Sequence, residues 1–405
     1  MLRTILLSAI AALTLAAFSL AVEPTAWVIN TSGESLSKIN LATDVVTNDV
    51  LAIGSDINCY PNQIIVRDTL AYVLLSGTDE IQIVNLINET TAGWIGFPSG
   101  SNPYNMAFLD DDYLYVTLMV DNSLVKVDLN SRQVVLTTPI GMSPEGIIIY
   151  DHKAYVAVTA YDFGSWSWGQ GKVVVYDTEG DTLLTEILTS TNPQYLALGH
   201  DGIIHVVCTG NYYDIPGVVF LIDPAIDAAF DIVEIGGQPA NIAIAPDNRV
   251  YLAAGGWVDD GEVYAYNGLT YEIYNGASNP IYVDSGATGI DAFQDSTVLA
   301  QTFGDRIIRL DATGATRNTY FMGDGPIDLD FNYLPGDVNG DFDINVGDAV
   351  FLINYIFKSG PSPMIPAWRG NPNGDKAINV GDAVYLINYI FKGGNRPQIG
   401  PSWIK

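Results

Sequence analysis

The chain has 405 residues, with 46 aspartates and glutamates against 17 lysines and arginines, a formal net charge of −29 at pH 7. A field of that sign excludes nucleic acid and anionic membrane surfaces as partners recruited by net charge. Cys59 falls in an expected loop and Cys208 in an expected strand, so no disulfide is expected.

Met1-Leu2-Arg3 precedes an apolar run from Ile5 to Leu20, and the small residues Ser19 and Ala21 fit cleavage after Ala21. Residues 1–21 therefore read as a secretory signal peptide, which places the mature protein outside the cell or at its surface. The run is short for a membrane span, and no later segment is long and apolar enough to be one.

From residue 22 to 333 the chain is rich in Val, Ile, Tyr and Thr, punctuated by Gly and Asn-Pro turns, with no convincing helix. It repeats. Pro opens a short apolar strand at Pro61, Pro103, Pro144, Pro193, Pro239 and Pro326, and Thr288 stands where the missing one would be. A second strand follows each of the first six in turn, counting Thr288 for the one without Pro: AYVLL, LYVTL, AYVAV, IHVVC, VYLAA and TVLAQ. A third ends at Asn40, Asn85, Asp128, Asp177, Asp223, Asn267 or Asp311, 43 to 49 residues apart. That is the period of a four-stranded propeller blade, and seven third strands mean seven blades. The segment 25–53 lacks an inner strand and 326–332 is an inner strand without a blade, so pairing them would close the ring. The recurring Asp or Asn reads as turn chemistry, a side chain capping its own backbone.

Strand parity puts the loops joining second to third strands on the face that carries the inter-blade loops. Three consecutive ones are long and aromatic. They hold Tyr161, Asp162, Phe163, Trp166 and Trp168, then Tyr212, Tyr213 and Asp214, then Trp257, Asp259 and Asp260. Exposed rings beside carboxylates suit sugars or a protein ligand. The same rings could instead pack on each other to hold long loops, or two of the acids could form a glycosidase pair. His152 and His200 fall in hairpin turns and His205 in a strand, and none shares a motif with a nucleophile. With strands such as LYVTL and GKVVVYDT, the stretch resembles the YVTN and lactonase-like seven-bladed β-propellers. That resemblance implies an all-β fold whose members serve as surface proteins, binding scaffolds and, less often, lactonases or lyases.

The segment 334–396 carries an internal duplication: INVGDAVFLINYIFK at 344–358 returns at 378–392 with Phe351 changed to Tyr385. Each copy follows an oxygen-rich loop. The first offers Asp337, Asn339, Asp341, Asp343, Asn345 and Asp348; the second offers Asn371, Asn373, Asp375, the Ala377 carbonyl, Asn379 and Asp382. Oxygens at positions 1, 3, 5, 7, 9 and 12 of a loop that runs into a helix are what Ca²⁺ coordination requires, so two calcium ions are expected. Asn371 replaces an acid at position 1, so the carboxylate count makes the second loop the weaker. Phe342 and Lys376 stand at position 6, where Gly is usual.

These twin loops resemble a dockerin, the duplicated EF-hand-like calcium module of secreted assemblies. As in dockerins, position 12 is Asp rather than Glu, and Leu334-Pro335-Gly336 leaves no room for an entering helix. The resemblance implies a cohesin domain as partner, selected by positions 10 and 11, here Val346-Gly347 and Val380-Gly381. The expectation is a seven-bladed β-propeller (22–333) followed by a small α-helical dockerin (334–396) and a tail (397–405). Functionally, it reads as a secreted, non-catalytic binding protein tethered through calcium to a cohesin-bearing scaffold, in polysaccharide handling or surface assembly. The alternatives are a glycoside hydrolase or lyase delivered by the same module, and a purely structural surface protein.

Overall fold

The structure, a computed structural model, describes residues 24–255, 260–293, 297–332, 334–341, 343–364, 367–375 and 377–397. The expected leader, Phe342, Lys376, Trp257 and Asp259 lie outside the described residues, as does all of the expected tail but Pro397.

Seven antiparallel sheets form a seven-bladed β-propeller, each of four strands except blade 6, which has five. Pro61–Arg67, Pro103–Phe108, Pro144–Tyr150, Pro193–Leu198, Ile242–Ile244, Ala287–Ala292 and Pro326–Phe331 are the inner strands, each packed on the next. Pro at the head of a strand costs no ladder hydrogen bond. The residue before it avoids the helical region, and Tyr60, Asn102, Ser143 and Asn192 turn left-handed there to bring the chain in from the preceding blade.

Second strands such as Leu70–Leu75, Tyr113–Leu118 and Lys153–Val158 are buried at every residue after the first. A neighbouring blade covers each face, which is why these strands read as unbroken apolar runs. Outer strands are largely exposed: Gln133–Pro139 exposes every second residue, and Ala228–Val233 exposes four in a row. All seven third strands end in the expected turn. The side-chain oxygens of Asn40, Asn85, Asp128, Asp177, Asp223, Asn267 and Asp311 accept backbone N–H groups two to four residues on.

Blades are fastened to one another by side chains. In the turns before the fourth strands, Asp44, Glu89, Asp181 and Asp227 adopt positive φ. Each receives a donor from the preceding blade: Tyr320, Lys38, Tyr115 and Tyr155 respectively. Around the axis, Asp328 and Asp330 accept the Ile64 and Val66 amides at 2.8 and 2.7 Å, and Gln63 accepts that of Met106 at 2.7 Å. Blade 1 is shared between the chain ends: Thr25–Asn30 pairs antiparallel with Ser35–Asn40 on one side and Pro326–Phe331 on the other. Both cysteines are free and buried.

After the ring come two helices, α1 (Val346–Lys358) and α2 (Val380–Lys392), joined through a 3₁₀ turn at Ala367–Gly370. Val338, Ala349, Leu352, Ala383 and Leu386 form their shared core. Among the described residues, no helix is long and apolar enough to cross a membrane.

Candidate functional site

In the first duplicated loop, Asp337, Asp341 and Asp348 bring carboxylate oxygens within 4.8 Å of one another. Asp348 reaches back from the first turn of α1, where its Oδ1 accepts the Val338 and Asn339 amides at 2.7 and 3.1 Å. Burial pushes its carboxyl up to about 6. Asn345 caps the helix by accepting Gly347 N–H at 2.6 Å. Asn339 and Asp341 hold each other, and the Asp341 Oδ1 accepts the Asp343 amide at 3.0 Å.

The second loop repeats this frame. Asn379 caps α2 by accepting Gly381 N–H at 2.7 Å, and Asn373 bonds Asp375. The Ala377 carbonyl accepts Asn379 Nδ2 at 3.0 Å. One sequence difference has a geometric result. Pro372 stands where the first loop has Val338, and Pro has no N–H to give to the position-12 carboxylate. Asp382 and Asn371 are both fully buried; Oδ1 of Asn371 has no partner, and Oδ1 of Asp382 has no hydrogen bond of normal geometry, only the Asn373 amide facing its carboxylate. An unsatisfied buried acceptor costs about 1–3 kcal/mol. A hard cation between positions 1 and 12 would satisfy both, so the donor set fits Ca²⁺.

Outside the loops, the helices expose matched apolar rows. Val346, Val350 and Phe357 on α1 are 54, 50 and 64 % exposed, and Val380, Val384 and Phe391 on α2 are 51, 50 and 64 % exposed. The sequence reading named Val346, Gly347, Val380 and Gly381 only; the helical period i, i+4, i+11 carries the rows further along each helix.

On the propeller, the expected rim divides into two kinds of residue. Tyr161–Asp162 and Ser167–Trp168 form a small hairpin. Phe163, Tyr161, Trp168 and Tyr212 make a continuous series of ring contacts at 5.0, 5.0 and 5.8 Å, joining the long loops of blades 4 and 5. Asp162 binds Gly164 N–H and Ser165 Oγ within its own turn, which holds its carboxyl below the usual range, and Asp214 accepts Asn211 Nδ2. These rings and acids build the loops. Trp166 and Tyr213, 77 and 93 % exposed, are the rings most open to a ligand, while Phe163 and Tyr212 stay nearly half exposed despite their ring contacts. Asp260 opens the strand Asp260–Asn267 in blade 6.

Beneath the rim lies a residue the sequence reading passed over. Glu145, in the inner strand of blade 4, is buried and accepts Gln194 Nε2 at 2.9 Å, with Tyr104 and Thr159 beside its carboxylate. Burial pushes its carboxyl up to about 7. Tyr195 borders a cavity of about 260 Å³ at the centre of the ring, lined also by Asn105, Asn241, Asp291, Asp328 and Asp330. The signal available in the sequence was a Glu behind the strand-opening Pro, where the other blades carry Asn, Tyr, Gln, Ala or Ile.

Several solved structures match this chain in shape at low sequence identity. The Kuenenia stuttgartiensis hydrazine synthase matches at a TM-score of 0.58 and 16 % identity, over 69 % of this chain and 91 % of that one. Virginiamycin B lyase from Staphylococcus aureus matches at 0.52 and 13 %, over 68 % and 92 %. The Neurospora crassa Pan2 WD40 domain matches at 0.52 and 11 %, over 66 % and 80 %. No protein-family profile matches the chain, and no curated protein does. The molecule is thus a seven-bladed β-propeller, of the same general shape as the virginiamycin B lyase ring.

Proposed function

We propose that this is an exported, non-catalytic propeller whose C-terminal duplicated loops form a dockerin-like module. The module takes up two calcium ions and tethers the protein to a cohesin-bearing scaffold or surface. The propeller offers its aromatic rim to a carbohydrate or surface-protein ligand. The observation that carries the calcium reading is the pair of buried oxygens, Oδ1 of Asn371 and of Asp382, that no donor meets in normal hydrogen-bond geometry. Asp337, Asn339, Asp341, Asp343 and Asp348 would hold one ion. Asn371, Asn373, Asp375, the Ala377 carbonyl and Asp382 would hold the other, with Asn345 and Asn379 bracing the helix starts. Calcium would supply charge neutralisation and cross-linking within each loop, so binding energy becomes folding energy for a module with a small core.

The twin apolar rows support the tether. Exposed Val and Phe at equal positions on both helices are more apolar surface than a free helix pair needs. Calcium-dependent pull-down by a cohesin domain tests the reading. Val350→Ser with Phe357→Ser, or Val384→Ser with Phe391→Ser, should weaken capture, and all four together should abolish it. Capture that survives both all four changes and excess chelator would refute it.

For the rim, Trp166→Ala and Tyr213→Ala should reduce retention on the carbohydrate or surface protein that the wild type binds, without turnover. A second reading, a glycan-active enzyme delivered by the same module, is favoured by Glu145 alone, a carboxyl held near neutrality beneath the rim as a general acid would be. Glycan cleavage lost on Glu145→Gln would establish that reading in place of the first.

A further inference from the structure

The two loops are near copies in sequence but not in surroundings. Arg369 is fully buried and belongs to the 3₁₀ turn just before the second loop. Its side chain runs back to the first loop. There Nη2 pairs with Oδ2 of Asp337, itself fully buried, and Nε donates to the Asp337 carbonyl at 2.8 Å. The other carboxylate oxygen, Oδ1, accepts the Gly340 and Asp341 amides at 2.9 and 3.0 Å. The Arg369 carbonyl accepts the Gly336 amide at 3.0 Å, so backbone and side chain together bind the start of one loop to the start of the other. In the first loop, position 1 thus holds a guanidinium and position 12 accepts two amides at 2.7 and 3.1 Å; in the second, position 1 keeps a buried oxygen without a partner and position 12 has only the Asn373 amide facing it, in no hydrogen bond of normal geometry at Oδ1.

We propose that Arg369 is a resident counter-cation of the first loop, and that it makes the second loop the first to take calcium. The inference rests on the calcium reading above and sharpens it. A guanidinium cannot deprotonate out of the way. Leaving it buried without its carboxylate is strongly unfavourable, so an ion entering the first loop must share Asp337 with Arg369 and meet its repulsion. The second loop has fewer carboxylates, yet its poorly met oxygens gain a partner and lose none. The count of acids alone orders the loops the other way; Arg369 reverses that order.

Calorimetric titration of the chelator-treated, full-length mature chain with CaCl₂ tests this. The wild type should bind in two steps. Asp375→Asn should remove the tighter step and Asp341→Asn the weaker. Arg369→Met should tighten the weaker step about tenfold or more, towards merging with the first, whereas Arg369→Lys, which keeps the charge, should leave the steps apart. Loss of the tighter step in Asp341→Asn overturns the inference even if Arg369→Met fails to fold. So does an unchanged or weakened second step in a folded Arg369→Met chain. A wild type that takes up no calcium overturns the calcium reading, and this inference falls with it.

Discussion

Asp330 and Glu145 carry carboxyls that burial raises to about 7, and Asp291 and Asp328 are raised by burial and by neighbouring acids. In the unfolded chain such groups ionise near pH 4. From about pH 4 upward the folded ring therefore holds protons that the unfolded chain has released, so its stability falls as pH rises; the part from Asp330 and Glu145 levels off above about pH 7, and Asp328, raised to about 8, and Asp291 carry the fall further. Asp330→Asn keeps an oxygen for the Val66 amide and removes the titration. With calcium saturating, that variant should melt higher than wild type at pH 7.5 and close to it at pH 4.5. An identical melting shift at both pH values would mean that the Asp330 proton plays no part. None of this was legible in the sequence, where Asp328 and Asp330 look like the polar half of an alternating strand. What raises them is the approach of the Ile64–Val66 backbone from more than 260 residues away.

At the scale of elements, helix ends distinguish the two copies. Both helices end in a left-handed residue: Gly393 for α2, but Ser359 for α1. A side chain in that conformation costs about 1 kcal/mol relative to Gly. Ser359→Gly should therefore raise the module's calcium-saturated melting point, while Gly393→Ser should lower it by a similar free energy. Equal melting of Ser359→Gly and wild type would show that this turn relaxes without cost. The helices were readable because their caps and apolar period are local, as were the third strands with their Asx turns. Fourth strands left little trace, since they meet solvent yet carry exposed apolar residues such as Val45, Leu183, Leu184, Leu188 and Phe230, so their apolar pattern does not mark a buried face. The rim was read as one surface, and packing splits it. Tyr161 and Trp168 meet because a hairpin pairs them, a register the sequence alone does not set. Arg369 and Asp337 are likewise 32 residues apart and joined only by the fold.

In the whole molecule, two separate cores imply two separate unfolding events. The ring is latched where Ala26, Val28, Leu329 and Phe331 pack with Phe293, Leu299 and Tyr320 across blades 1 and 7. The helix pair has only its own small cluster, and the exposed ion pair between Arg396 and Asp68 is a weak bond between the two parts. Leu329→Ala opens a cavity at the latch, at a cost of about 2–5 kcal/mol. It should lower the ring's thermal transition and leave calcium uptake as it was. On the calcium reading proposed above, chelator should do the reverse, destabilising the helix pair while the ring melts at an unchanged temperature, because that reading asks no ring carboxylate to hold an ion. Differential scanning calorimetry separates the outcomes. If Leu329→Ala and chelator each shifted both transitions together, the cores would be one cooperative unit, and the module would be part of the ring's fold rather than a tether attached to it.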